Sequence, residues 1–293
     1  MSSRSEHLRG LLLMVLAVLV LTPDSLLISL IESDTWTVIF WRGLLSALTL
    51  TVALVVMHGR DIFRKTWDIG AAGVVAGLLF GFSTISFVMS VRLTTAANAL
   101  VIVASMPLFA AVFTWFFLRE KVPLRTWLAA LAGFGGIAIL FSGSLGGGAL
   151  IGDLLALVTA CFMGGNFVLI RRFDRVNMIP AVILSGILTT MAVAPVSSPV
   201  VFESVDFLYL ILMGSIVLPV PLAIMTVAPK LIPAPEASLI LLLETFLGPL
   251  WVWMVLKEMP ARETVLGGIL LVVTLAVHSV LSLRDNGAEP GEE

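Results

Sequence analysis

A chain of 293 residues that is 59% apolar, only 12% charged and of mean hydropathy +1.10 is not a soluble domain, in which charged residues make up about 25%. Its formal net charge of −2, with no basic block, excludes nucleic acid as a main partner, because phosphate recognition needs clustered Lys and Arg. A single cysteine, Cys161, can close no intrachain disulfide and has no neighbouring ligands for a metal site.

A membrane-crossing helix needs ~20 predominantly apolar residues, and ten such runs divide the chain: 9–31, 36–57, 69–90, 95–118, 124–142, 152–171, 181–201, 206–228, 235–256 and 262–283. The first is expected to be retained rather than cleaved as a signal peptide, since Leu11 to Leu21 lacks a small-x-small site before Asp24. Within it Thr22-Pro23-Asp24 predicts a break, proline having no N–H to continue the ladder. The second span holds Arg42. Asp24 and Arg42 lie roughly 9–12 Å from the same membrane face at ~1.5 Å per residue. Two readings follow: an ion pair between antiparallel neighbours, or contacts to the amine and carboxylate of a substrate.

In the third span Gly73, Gly77 and Gly81 form a small-xxx-small packing ridge. Ser83, Ser86 and Ser90 give a hydroxylated face suited to a cavity, or to bonding back on their own helix. The fourth carries Ser105-Met106-Pro107, and the sixth Met163-Gly164-Gly165-Asn166 at the same distance from its start as Pro23 in the first. Repeat-related breaks mark transporter sites, so a loosened ladder is predicted at each. Pro219-Val220-Pro221 predicts a hinge or bend in the eighth span. In the ninth, Leu243-Glu244-Thr245 is the repeat partner of Ser105-Met106-Pro107, so a break is predicted there too, and Glu244 falls near the midplane, where a carboxylate needs a proton or a cationic partner. His278 in the tenth is expected to be a hydrogen-bonded packing residue, Trp36, Trp67 and Trp127 to be interface anchors, and the acidic stretch 284–293 to be a disordered tail.

Positive residues near span ends stay cytoplasmic. With the N-terminus inside, thirteen Lys and Arg fall on the cytoplasmic side and three (Arg92, Lys257, Arg262) outside. This predicts a multi-pass protein of the cell (inner) membrane with both termini cytoplasmic.

The halves also repeat each other. Leu118-Arg119-Glu120-Lys121-Val122-Pro123 lies over Leu256-Lys257-Glu258-Met259-Pro260, one residue shorter, and Trp115 over Trp253. Five spans per half is odd, so the second copy enters from the opposite side, a plan recurrent in secondary transporters. The expected fold is an all-α integral membrane protein of ten transmembrane helices, built as two inverted five-helix repeats, 8–142 and 151–283, around a central cavity.

On these motifs the chain resembles the drug/metabolite transporter superfamily, specifically its EamA-type ten-helix exporters, and in particular the bacterial amino-acid exporters of the YddG type. The resemblance covers about Leu8 to Leu283 and implies a basket of helices, export of small metabolites or amino acids, and alternating access. The chain departs from the pattern in carrying Thr22-Pro23-Asp24 where many relatives have Trp-Gly, and Glu244-Thr245, with proline displaced to Pro249, where they have Glu-Pro.

No H-E-x-x-H or nucleotide-binding G-x-x-x-x-G-K-[ST] motif occurs, and the start of a serine-nucleophile motif at Gly81-Phe82-Ser83-Thr84 lacks its second glycine. A channel needs repeated rings of charge or carbonyls, which one midplane acid does not supply. The chain is therefore expected to be no enzyme and to use no cofactor. It is expected to act as a monomer in the lipid bilayer on an amino acid, aromatic ones included, or a similar small amphipathic metabolite. Another metabolite or drug, exported or imported, is the alternative. The substrate is expected at Asp24, Ser83, Met106, Met163, Asn166 and Glu244.

Overall fold

The computed structural model describes residues 3–58, 69–119, 123–144, 148–173, 176, 178–198, 204–225, 231 and 234–286. Trp67, the basic residues Arg60, Arg64, Lys65, Lys121, Arg175 and Lys230, and residues 287–293 of the acidic tail lie outside them. The described residues are helical with no strand. In chain order the helices are α1 (Ser3–Leu21), α2 (Asp24–Leu30), α3 (Thr35–His58), α4 (Gly70–Leu93), α5 (Ala96–Val103), α6 (Met106–Phe113), α7 (Leu124–Ser144), α8 (Leu150–Arg172), α9 (Ile179–Val193), α10 (Ser204–Leu212), α11 (Pro219–Met225), α12 (Ala234–Leu256) and α13 (Arg262–Asn286). Wide π turns follow α6 (Thr114–Leu118) and α10 (Met213–Val217).

Seven helical stretches among the described residues are long and apolar enough to cross a membrane: Glu6–Leu30, Thr35–Val56, Gly70–Leu93, Ala96–Leu118, Thr126–Gly143, Leu150–Arg172 and Ser204–Met225. Ile179–Val193 and Leu243–Leu256 are apolar but shorter. Large side chains face outward around the bundle, among them Leu12, Val56, Phe117, Leu131, Leu208 and Leu266. In water this surface would be costly, and against acyl chains it costs nothing.

Proline chemistry decides two of the expected breaks. α1 stops at Leu21, Thr22 and Pro23 form a turn in which Thr22 Oγ1 donates to the Leu19 carbonyl at 3.0 Å, and α2 restarts at Asp24. The α5 to α6 turn at Ala104–Ser105 precedes Pro107 in the same way, with Ser105 Oγ donating to the Ile102 carbonyl at 2.5 Å. A third interruption lies at Leu218, whose N–H reaches back to the Met213 carbonyl at 3.0 Å just before Pro219.

The two glycine-and-acid breaks predicted as their partners are not there. α8 runs unbroken through Gly164-Gly165-Asn166, and α12 runs unbroken through Leu243-Glu244-Thr245, with Pro249 inside it. At Gly164 the missing side chain serves packing: a Cβ there would lie 2.9 Å from both the Met106 carbonyl oxygen and the Ala110 nitrogen of α6.

α7 packs along α13, α4 along α8, and α9 along both α3 and α4. Two of these crossings bring backbone onto backbone. A Cβ on Gly43 would stand 2.8 Å from the Gly186 carbonyl oxygen and one on Gly186 2.6 Å from that of Gly43, joining α3 to α9. Gly136 of α7 and Gly267 of α13 are opposed in the same reciprocal way. Gly77 and Gly81 abut α9 at the carbonyls of Ala181 and Ser185, as the ridge on α4 predicts. His278 of α13 is hydrogen-bonded through Nε2 to Thr126 Oγ1 of α7 at 2.8 Å. At the matched basic residues of the sequence repeat the chain leaves its helices through left-handed backbone, φ 55° at Arg119 and φ 60° at Lys257. Both are the non-glycine residues with positive φ among those described, and both sit where a helix C-terminus favours that conformation.

Candidate functional site

The helix break at Pro23 places Asp24 in the first turn of α2, turned toward α3. Arg42 meets it in a two-pronged pair, Nη1 to Oδ1 at 2.5 Å and Nη2 to Oδ2 at 2.8 Å, with both residues 3% exposed. The guanidinium also lies 5.8 Å from the centroid of the Phe87 ring on α4, while its buried Nε has no hydrogen-bond partner. Asp24 and Arg42 therefore pair.

The expected midplane acid, Glu244, lies on α12. It is half-buried, within electrostatic range of both Asp24 and Arg42, and eleventh in a helix of 23 residues. Two further contacts hold the same face of α12 against the break. Gly248, one turn on from Glu244, leaves room for Leu100 of α5, whose Cδ1 a Cβ there would approach to 2.3 Å, and faces Ser25 Oγ of α2 at contact distance, 3.5 Å. Trp251, nearly two turns on, donates its indole N–H to Thr22 Oγ1 at 3.1 Å. Ser25 Oγ is buried without a partner. The result is a polar group in an apolar bundle: one guanidinium, two carboxylates and an unsatisfied hydroxyl, gathered from α2, α3 and α12.

The remaining expected residues are arranged differently. Met106 opens α6 and is half-buried, as is Met163 beside Gly164, so both stand at the close α6 to α8 crossing. Asn166 is fully buried, and neither atom of its amide has a hydrogen-bond partner. An amide so placed forgoes bonds worth about 1–3 kcal/mol, which a ligand or water would restore. Ser83 is buried, and its hydroxyl donates to the Phe80 carbonyl of its own helix at 2.8 Å. Ser86 likewise donates to Phe82, at 2.7 Å, and accepts from Thr159 at 3.0 Å. Only Ser90 of that face is left without a partner. Among the described residues no hydrogen bond links Ser83 or Asn166 to the charged group.

Sequence reasoning passed over two other polar clusters. Asp206 of α10, 3% exposed, accepts from the Glu32 and Ser33 amides at 3.1 and 2.8 Å and from the Ser33 hydroxyl at 2.6 Å. Arg92 donates into the same loop, to the Ile31 carbonyl at 2.6 Å. Asp153 of α8 is wholly buried and accepts from Thr94 at 2.6 Å and from the Asn98 amide at 3.3 Å, while Thr264 of α13 donates to Asn98 Oδ1. Both acids stand in the first turns of their helices, which was the available signal. No group of three His, Cys, Asp or Glu that could hold a metal ion occurs among the described residues.

The profile of the EamA-like transporter family matches the chain twice, over residues 8–142 and 150–280. A protein of Rickettsia bellii (strain RML369-C) described as an S-adenosylmethionine uptake transporter is 23% identical over 242 residues, 80% of this chain and 80% of its own. One of the same description from Rickettsia prowazekii (strain Madrid E) is 22% identical over 242 residues, 80% of this chain and 79% of its own. A solved crystal structure, 19% identical, aligns with TM-score 0.68 over 94% of this chain and 99% of its own, which bears on the fold alone.

Proposed function

Because the chain belongs to the EamA-like transporter family, we propose that it is a secondary transporter that carries a small amino-acid-type metabolite by alternating access between two inverted five-helix repeats. The carrying observation is the polar group at Asp24, Arg42 and Glu244, to which the first half of the chain gives an ion pair and the second half a carboxylate. Ionisable residues at mid-membrane cost at least ~2.5–3.5 kcal/mol each and mark transport pathways.

Three features support the repeats and their inversion. The family profile matches each half, and the repeat-related Arg119 and Lys257 share the left-handed conformation. Several helix pairings are also kept when the halves are exchanged. Under that exchange α4 against α8 becomes α11 against α1, α6 against α8 becomes α12 against α1, and α4 against α9 becomes α11 against α3, while α3 with α9, α5 with α12 and α7 with α13 map onto themselves; all of these contacts occur. Such exchange is expected of two repeats related by a pseudo-twofold axis, which five spans per half would set in the membrane plane, and it supports ten spans with both termini on one side.

An amino-acid-type substrate is supported by the description of the Rickettsia relatives, since S-adenosylmethionine carries an α-amino acid head. Expected subsites are Asp24 and Glu244 for the ammonium, Asn166 for a polar tail, and Met106 and Met163 for its apolar part, with Ser83 on the flanking helix. A carrier of this kind runs along whichever gradient is imposed, so export and uptake are the same cycle read in two directions. The test is counterflow in proteoliposomes with radiolabelled amino acids and S-adenosylmethionine: saturable, trans-stimulated exchange is expected. Unsaturable flux without counterflow would mean a channel.

A further inference from the structure

The seam between α4 and α8 joins the two halves of the chain, and its polar side chains are out of step. Gly152 lies against Leu93, a Cβ there falling 2.6 Å from the Leu93 carbonyl carbon, and Thr159 donates to Ser86 at 3.0 Å. Seven residues on along α8 therefore answer to seven back along α4, and the Phe82 and Phe162 rings, stacked at 5.7 Å, keep the same register. In that register Ser90 comes opposite Leu155, and Asn166 opposite Leu79. Both polar residues are fully buried, and Ser90 Oγ and the two amide atoms of Asn166 have no hydrogen-bond partner. Buried polar groups are paired in nearly all folds, and the hydroxyls that could pair these two each stand one turn away. Thr159 is four residues from the position facing Ser90, and Ser83 is four residues from the position facing Asn166.

Resting on the transport reading above, we propose that α8 slides along α4 by one helical turn, ~6 Å, between the two facing states, and that Ser90 and Asn166 are contacts reserved for the second register. Moving α8 toward the end that carries the 94–95 connection brings Thr159 from Ser86 to Ser90 and Asn166 from Leu79 to Ser83 in one step. Ser90 then donates to Thr159 Oγ1, whose own hydrogen stays on the Leu155 carbonyl, and the Asn166 amide donates to Ser83, whose hydrogen stays on the Phe80 carbonyl. Ser86 keeps its bond to the Phe82 carbonyl, so the move strands no donor. The sliding surface repeats by the turn: Gly152, Ala156, Ala160 and Gly164 are all buried at four-residue spacing, and small residues let helix backbones pass closely. Packed helices hold such registers as discrete states. The same step carries Asp153 past Thr94, whose hydroxyl it accepts in the present register, and so parts one of the links between the halves. It also withdraws to Ser83 an amide that the present register leaves to the substrate.

Disulfides read the register directly, since the bond needs Cα atoms within about 7 Å. In a Cys161→Ser background the full-length chain carries Ser86→Cys with Thr159→Cys, or Ser90→Cys with Thr159→Cys, in proteoliposomes assayed for counterflow of radiolabelled S-adenosylmethionine and of a mixture of radiolabelled amino acids. The first pair is expected to close at rest and the second only during exchange. Either closed disulfide should abolish exchange, and reductant should restore it. Ser90→Ala, which removes a bond made only in the slid register, should slow exchange about fivefold without lowering the melting temperature, whereas loss of an ordinary packing residue would lower both. Parent-rate exchange by the protein locked between residues 86 and 159, or by Ser90→Ala, overturns the slide and leaves the transport reading standing. Where the cysteines themselves abolish exchange before oxidation, Ser90→Ala alone decides. Absence of saturable exchange of either probe by the parent chain overturns both.

Discussion

At the scale of single residues, the paired charges at Asp24 and Arg42 separate structure from transport. Removing one partner leaves the other ionised and stranded in the bundle, which costs about 3–5 kcal/mol, whereas replacing both by apolar residues of similar volume is often neutral. Arg42→Met should therefore unfold in detergent at markedly lower temperature than the parent, and Asp24→Leu with Arg42→Met should regain most of that loss while remaining inactive in exchange. A double variant as unstable as the single one would mean that the pair is held by more than its own charges. The pair was legible in sequence because both residues are rare charges at matching depth. The indole bond from Trp251 to Thr22 was not, since it joins residues far apart in the chain and one apolar span offers many equivalent tryptophan positions. The orphaned amide of Asn166 could be named as polar in lipid, but its lack of a partner exists only once the helices are packed.

At the scale of helices, the breaks at Pro23 and Pro107 were readable, while the continuity of the helices through Gly164-Gly165 and Pro249 was not. Pro23 and Pro107 break their helices for a reason contained in the residue itself, a missing N–H and a ring that clashes one turn back. Gly164 and Gly165 permit a break without compelling one, and which role they take is set by α6 lying against them. The contrast is measurable. Gly164→Leu must drive α6 away from α8 and should destabilise by about 1–3 kcal/mol, whereas Gly135→Leu on α7, where a Cβ meets nothing within 4 Å, should leave the melting temperature nearly unchanged. Equal loss at both would mean that the α6 to α8 contact is not a tight one. The π turns at Thr114–Leu118 and Met213–Val217 were also invisible in the sequence, having no residue signature beyond apolar helix.

At the scale of the whole molecule, four polar links between the halves gather at the end that carries the 31–34 and 94–95 connections. Asp206 holds Ser33, Ser198 exchanges hydrogen bonds with Thr37 at 2.7 and 3.2 Å, Asp153 holds Thr94, and Thr264 reaches Asn98. In the orientation proposed from the basic residues this is the external end, where such links would close the bundle to the outside. In a Cys161→Ser background, a disulfide formed between Ser33→Cys and Asp206→Cys should stop exchange, and reductant should restore it. Undiminished transport by the cross-linked protein would show that this end does not open in the cycle. The same single cysteines, left unpaired, should react with an impermeant thiol reagent added outside intact cells; reaction only after permeabilisation would reverse the orientation. The glycine crossings at Gly43 with Gly186 and Gly136 with Gly267 carry a genetic consequence. A side chain added at one of them can ordinarily be rescued by trimming its neighbour, yet the neighbour here is already glycine and the obstacle is its carbonyl. A suppressor screen begun from Gly186→Val should then return true revertants and no second-site change at residue 43.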